Sequence, residues 1–161
     1  MVKIEIILKE GKVSRIPELE LARYTGFFEQ SSRDNRGHAA AVQQSFPRWS
    51  IISGYYAMHD ITKLLLAKKF RLKVEQEVHA TTIKVLRELL RNRSLLALIE
   101  RGYQEFLFLA NDLEEAKKER VRTQYYTGTA YMKEAYAERA RIFFREVVEP
   151  YLEKMQRLLE D

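Results

Sequence analysis

Apolar positions along this chain recur mostly with helical spacing, and one stretch is apolar nearly all round. From Trp49 to Leu66, WSIISGYYAMHDITKLLL, the only formal charges are Asp60 and Lys63. Ile51, Ile52, Tyr55, Tyr56, Met58, Ile61, Leu64, Leu65 and Leu66 cannot share one stripe about 100° wide, so a helix here has to be covered by other helices on several sides. Pro47 is tolerated only in a first turn and supplies the start, with Ser45 placed to cap it. Ser53 and Gly54 are small enough for a neighbouring backbone to come close. The pattern predicts the central helix of a bundle. A membrane span fits poorly, because His59, Asp60 and Lys63 interrupt roughly 18 residues and basic residues flank both ends.

The segments on either side suit a bundle. Residues 2–16, VKIEIILKEGKVSRI, read equally as a hairpin turning at Glu10-Gly11 or as a short helix stopped by Gly11. Pro17 opens a long helix to about Gln44, with Leu21, Tyr24, Phe28, Ser31 or Ser32, Asn35, Ala39 and Val42 on one face, weakened by Gly26 and Gly37. Ser45-Phe46-Pro47 is the break before the central helix, and AKKFRLK, residues 67–73, is a basic connector after it. Val78, Thr82, Val85, Leu86 and Leu89 outline an amphipathic helix from Glu75 to Arg93. RNRSLLALIERGYQEF is a boundary zone in which Gly102 ends a short piece. Phe106 to Arg122 is the next helix, with Leu109 and Leu113 inward and EEAKKER solvated, and Gly128 marks a turn or bend. From Ala130 onward Ala137, Ala140, Phe144, Val147, Tyr151, Met155 and Leu158 share a face, and Pro150 kinks or splits that last helix by removing one ladder bond. With no repeat, linker or low-complexity tract, the expectation is a single all-α domain over residues 1–161, a helical bundle of about five helices with residues 1–16 as an N-terminal extension.

Composition narrows the chemistry. The 161 residues include no Cys, which rules out disulfides and thiolate metal or redox sites and fits a cytoplasmic protein; no basic-then-apolar leader opens the chain. A net charge of +5 and a pI near 9.4 favour an acidic partner such as RNA, DNA or an acidic protein. No Gly-rich phosphate loop, nucleophile elbow or paired carboxylates appear, and no cofactor is expected. Glu75 and His79, four apart, would hold one edge of a metal site, but two ligands do not make one, so no metal is expected.

SGYYAMHDITKLLLAKKF resembles the signature helix of the HEPN-domain superfamily, in particular an uncharacterised archaeal and bacterial group within it. The likeness extends back through LKEGKVSRIPELELARYTGFF and forward through VHATTIKVLRELL, KERVRTQYYTG and EAYAERARIFFREVVEPYLEKM, so it covers most of the chain. The resemblance implies a bundle of about five helices, usually a homodimer, associated with RNA cleavage or binding. Many members partner a minimal nucleotidyltransferase in toxin–antitoxin pairs. The family's ribonuclease motif is an Arg followed after four to six residues by a His: the guanidinium holds a phosphate and the imidazole moves a proton for 2′-hydroxyl attack. Here the matching stretch is Arg120-Val121-Arg122-Thr123-Gln124-Tyr125-Tyr126, with Tyr where His is expected. A Tyr titrates near pH 10 and is a poor base at neutral pH. The resemblance therefore implies phosphate binding at Arg120 or Arg122 without cleavage, and a metal-independent endoribonuclease only if some other group moves the proton.

Around this stretch Lys117 and Lys118 add charge, and Tyr125, Tyr126 and Tyr131 add flat rings on which bases stack. Lys68, Lys69, Arg71 and Lys73, and likewise Arg87, Arg91 and Arg93, read as solvated helix ends. Arg33 and His38 match the Arg–His spacing literally but lie in the first long helix, where a solvated pair is the plainer reading. His59 is read as hydrogen-bonded in or near the core. His79 falls where the family group often carries a His, and a structural or capping role is preferred for it. Two functions follow as expectations: an RNA-directed protein of a toxin–antitoxin or defence module with a degenerate ribonuclease motif, or a non-catalytic module that dimerises and docks a minimal nucleotidyltransferase.

Overall fold

The computed structural model describes the backbone of residues 2–76, 78–123 and 129–161, and the side chains of residues 4–76, 78–109, 111 and 134–161. In chain order the elements are α1 (Val2–Lys9), β1 (Val13–Arg15), α2 (Glu18–Ala41), α3 (Pro47–Phe70), β2 (Leu72–Val74), α4 (Val78–Leu90), α5 (Arg93–Thr123), α6 (Thr129–Phe143), a π-helical turn (Phe144–Val148) and α7 (Glu149–Glu160). The expected all-α bundle is what forms.

α3 is its axis. It packs against α2, α4, α5, α6, the π turn and α7, and Ile51, Tyr55, Met58, Leu65 and Leu66 are all fully buried along it. An apolar circumference can be dried only by neighbours on every side, which is why this helix sits in the middle. α2 runs antiparallel to it, tied by polar rungs: Ser50 Oγ donates to the Ala39 carbonyl at 2.6 Å and Ser32 Oγ to the Ala57 carbonyl at 2.9 Å. The face of α2 read from the sequence is the one turned to α3, with Ser32 and Ala39 buried. Gly54 lets the last helical rod come close: a Cβ there would lie 2.9 Å from Val148 Cγ2.

Several expectations need correction. The N-cap of α3 is Phe46, with no side-chain cap bond, so Ser45 does not cap it. Residues 67–73 are not a connector. Ala67 to Phe70 continue α3, Arg71 ends it in the left-handed region at φ 54, and Leu72 begins a strand. That strand solves the ambiguity at the N-terminus: residues 2–16 hold a helix and a strand, with Gly11 turning between them at φ 77. β1 and β2 are antiparallel, Val13 opposite Val74 and Arg15 opposite Leu72. No local pattern links residues this far apart in the chain. The pair closes a small second core of Ile7, Val13, Leu66, Leu72, Val74 and Val85.

The break expected in RNRSLL is real and lies at Arg91–Asn92, where Arg91 has φ 52 and Asn92 Oδ1 accepts from the Leu95 N–H at 3.1 Å. Gly102, however, ends nothing. α5 runs straight through it, because its missing side chain admits Met58, whose Cε and Sδ would lie 3.1 Å from a Cβ. At Pro150 the last helix is divided, as expected, but by a π-helical turn between α6 and α7 rather than by a loop. The proline lacks an N–H and crowds the carbonyl four residues back, and the chain answers with the wider π turn, in which the Glu149 N–H reaches the Phe144 carbonyl. The wider turn changes the buried face: Phe143, Val148 and Leu152 join Ala137, Ala140, Val147, Tyr151 and Met155 inside, while Phe144 and Leu158 are only partly buried.

Candidate functional site

The densest grouping of titratable and aromatic side chains among the described residues lies where α4 and α5 close over the middle of α3. α3 presents Tyr55, Tyr56 and His59, the first and last one helical turn apart. α4 brings His79, and α5 brings Tyr103 and Phe106 just after the close approach at Gly102. His79 Nδ1 is 2.7 Å from the Tyr55 hydroxyl. The His79 ring stacks on Tyr103 at 5.6 Å and 14°, and on Phe106 at 5.7 Å and 26°. His59 lies 5.0 Å from His79, ring centre to ring centre.

This environment sets the protonation states. Burial, then the nearby Lys63 and His79, push His59 down to about 3, against a hydrogen bond to the Val78 backbone. His79 is lowered by burial and by Lys63. Burial raises the Tyr55 phenol well above its ordinary range. At neutral pH the group is therefore two neutral imidazoles and an intact phenol. His59 is in the core and bonded to the Val78 backbone, as the sequence reading had it, while its Nε2 is buried with no hydrogen-bond partner. His79 is half-buried and its bond to Tyr55 ties α4 to α3, in keeping with the structural role preferred for it.

The two charges of the central helix are placed between α2 and α3. Asp60 Oδ2 accepts from Ser31 Oγ at 2.6 Å and from Asn35 Nδ2 at 3.0 Å. Burial raises the Asp60 carboxyl while those two bonds and Lys63 pull it back. The Lys63 ammonium sits 4.9 Å over the Phe28 ring, with its own pKa lowered by burial. Asp60 and Lys63 thus tie two helices together.

The Arg33–His38 pattern is not assembled into a site, since each residue has a partner of its own. Arg33 pairs with Glu29 on its own helix at 3.1 Å, and His38 Nδ1 contacts Ser53 Oγ at 2.7 Å. Glu75 precedes α4 rather than lying on it; it accepts from Ser14 Oγ at 2.6 Å and pairs with Lys73 at 3.4 Å. It and His79 therefore do not share a helix face, which corrects the metal-edge reading. Among the described residues no group of three His, Asp or Glu is arranged to hold a metal ion.

Arg120 and Arg122 belong to the final turns of α5. Their side chains, those of Lys117, Lys118 and Tyr131, and the segment holding Tyr125 and Tyr126 lie outside the described residues, so of the expected site residues His79 alone is placed. The stacked Tyr103 and Phe106 were not expected as its partners, since periodicity reports faces and not which residues meet across helices. Arg48, stacked 5.4 Å over the Tyr136 ring, was missed for the same reason.

Compared with protein-family models, with curated proteins and with solved structures, the chain matches none. What the fold defines is a class, an all-α bundle around a buried central helix, and among its described residues no helix is long and apolar enough to cross a membrane.

Proposed function

We propose that this chain is a HEPN-like, RNA-directed protein of a toxin–antitoxin or defence module that binds RNA through Arg120, Arg122, Tyr125 and Tyr126 and does not cleave it. The observation that carries the reading is where the histidines go. His59 is buried and held neutral, His38 contacts Ser53, and His79 is clamped by Tyr55, Tyr103 and Phe106. Tyr103 and Arg120 are both on α5, 17 residues apart. At about 1.5 Å per residue that is some 26 Å of helix, too far for His79 of the same chain to serve a phosphate held at Arg120. A guanidinium with aromatic neighbours and no proton-transfer imidazole supports binding without cleavage.

The test is fluorescence anisotropy of a labelled single-stranded RNA across a salt series, beside a cleavage assay on the same RNA. Binding should weaken with salt, and Arg120→Ala should lower the slope of log K against log salt by about 0.7, one phosphate contact on a single strand. Robust cleavage by the purified protein, lost in Arg120→Ala, would overturn the reading.

One observation favours the second function, a module that dimerises and docks a minimal nucleotidyltransferase. On α2, Leu19 is 99% exposed and Phe27, two turns on, is 64% exposed, apolar surface that a partner would cover. Co-purification with a nucleotidyltransferase, abolished by Leu19→Glu with Phe27→Glu, would support it, as would tyrosine modification abolished by Tyr125→Phe or Tyr126→Phe.

A further inference from the structure

The turn between α2 and α3 carries an aromatic and cationic surface that neither the core nor the Arg120 segment explains. Phe46 is 61% exposed and Trp49 is 59% exposed. Between them in sequence, Arg48 sits over the buried ring of Tyr136, 5.4 Å from its centre, and has no carboxylate partner among the described residues. One turn along α6, Arg139 stacks 3.9 Å over Phe108, itself 45% exposed, and is held there by two bonds to Glu105 at 2.7 and 3.0 Å. Tyr136 and Arg139 are three residues apart on one face of α6, so the two arginine–ring pairs are neighbours.

We propose that Phe46, Arg48 and Trp49 form a stacking platform for single-stranded RNA, extended by the Arg139–Phe108 pair. Each part of the surface answers a part of such a strand. An exposed indole and phenyl ring offer π-faces to unpaired bases whatever their identity. The guanidinium, held over a ring and with no carboxylate partner among the described residues, takes a phosphate oxygen. A second copy of the chain fits less well. An isologous contact through this patch would set two like-charged guanidinium groups close together, and the chain's charge of +5 adds to their repulsion. The platform rests on the RNA reading above but is a surface distinct from Arg120. Helix α5 connects the two: Phe108 and Arg120 lie 12 residues apart on it, about 18 Å along its axis, so one extended strand can follow α5 from platform to arginine.

Trp49 is the chain's single tryptophan, which makes its emission a local reporter. The experiment titrates the full chain with an oligouridylate of about ten nucleotides, reading tryptophan emission and the anisotropy of a labelled strand in parallel. The expected result is quenching of Trp49 emission with the same midpoint as the anisotropy change. Phe46→Ala and Trp49→Ala, on exposed positions, should each weaken binding about tenfold with an unchanged circular dichroism spectrum. Arg48→Ala should lower the salt slope by about 0.7. Anisotropy showing tight binding while Trp49 emission stays flat and Arg48→Ala is neutral would overturn the platform and leave the RNA reading standing. Absence of binding by both readouts would overturn both. An emission shift that follows protein concentration without RNA, abolished by Trp49→Ala, would assign the surface to contacts between copies and overturn the proposal.

Discussion

The buried hydroxyl pair between α3 and α7 tests the account of the core more sharply than any apolar truncation. Thr62 and Tyr151 are both fully buried, and their oxygens are 2.5 Å apart. Thr62 Oγ1 also lies 2.7 Å from the Met58 carbonyl. A carbonyl can only accept, so the Thr62 proton is committed to Met58 and the Tyr151 hydroxyl must donate to Thr62. The relay then runs Tyr151 to Thr62 to Met58. Burial holds the Tyr151 phenol far above its ordinary range, so it remains a donor at any working pH.

The direction of the relay makes the two single substitutions unequal. Tyr151→Phe removes the terminal donor and leaves Thr62 still bonded to Met58, at a cost of about 1 kcal/mol. Thr62→Val keeps the shape but strands the Tyr151 O–H in a dry core, with a cost nearer 2 kcal/mol and up to about 3. The Met58 carbonyl suffers less, because the helical ladder still supplies it with a donor. In the double variant nothing is left stranded, so its cost should fall below the sum of the singles by about 1 kcal/mol or more. Urea unfolding followed by far-UV circular dichroism reads all four proteins. At this length each kcal/mol also moves Tm by about 2–4 °C. Thr62→Val no costlier than Tyr151→Phe, or strict additivity, would refute the relay.

Acid should destabilise the fold through His59, whose folded pKa of about 3 lies below its unfolded value of 6.5. Above 6.5 both states are neutral; below it the unfolded chain takes up a proton that the fold refuses, so about 2 kcal/mol should be lost between pH 7 and pH 5, and His59→Leu should flatten that part of the stability profile. Asp60, raised by burial, contributes in the opposite sense as pH rises from its ordinary 3.8 through its folded value, so the difference from the wild-type curve is the quantity to compare. Gly37→Ala on α2, where nothing lies within 4 Å of the new Cβ, should stabilise by roughly 0.5–1 kcal/mol on thermal unfolding. Gly54→Ala should instead destabilise by about 1 kcal/mol or more, since its Cβ would meet the stiff, buried Val148; equal effects of the two would show that α3 and the π turn are less tightly seated than described.

The sequence made legible what depends on local spacing. The Trp49–Leu66 run announced the axis because a helix apolar on every side has one place to go, and the stripe read along α2 holds the residues that meet α3, among them Ser31, Ser32, Asn35 and Ala39. What it hid depends on meetings across the chain. Val13–Arg15 becomes a strand because Leu72–Val74 lies beside it, and three-residue strands carry no periodicity of their own. Gly102 illustrates the hazard in the other direction: read locally, a glycine weakens a helix, yet here its lack of a Cβ lets α5 settle onto Met58 and carry Tyr103 and Phe106 to His79. The same distinction applies to function. A motif such as Arg120 to Tyr126 is written in consecutive residues and can be read before any fold is known. The Phe46–Trp49 surface cannot, because what marks it is negative: two rings that the bundle leaves uncovered and an arginine that meets no acid among the described residues. Exposure and unmet charge are properties of the folded chain, and a platform defined by them is found only after the core has claimed its own residues.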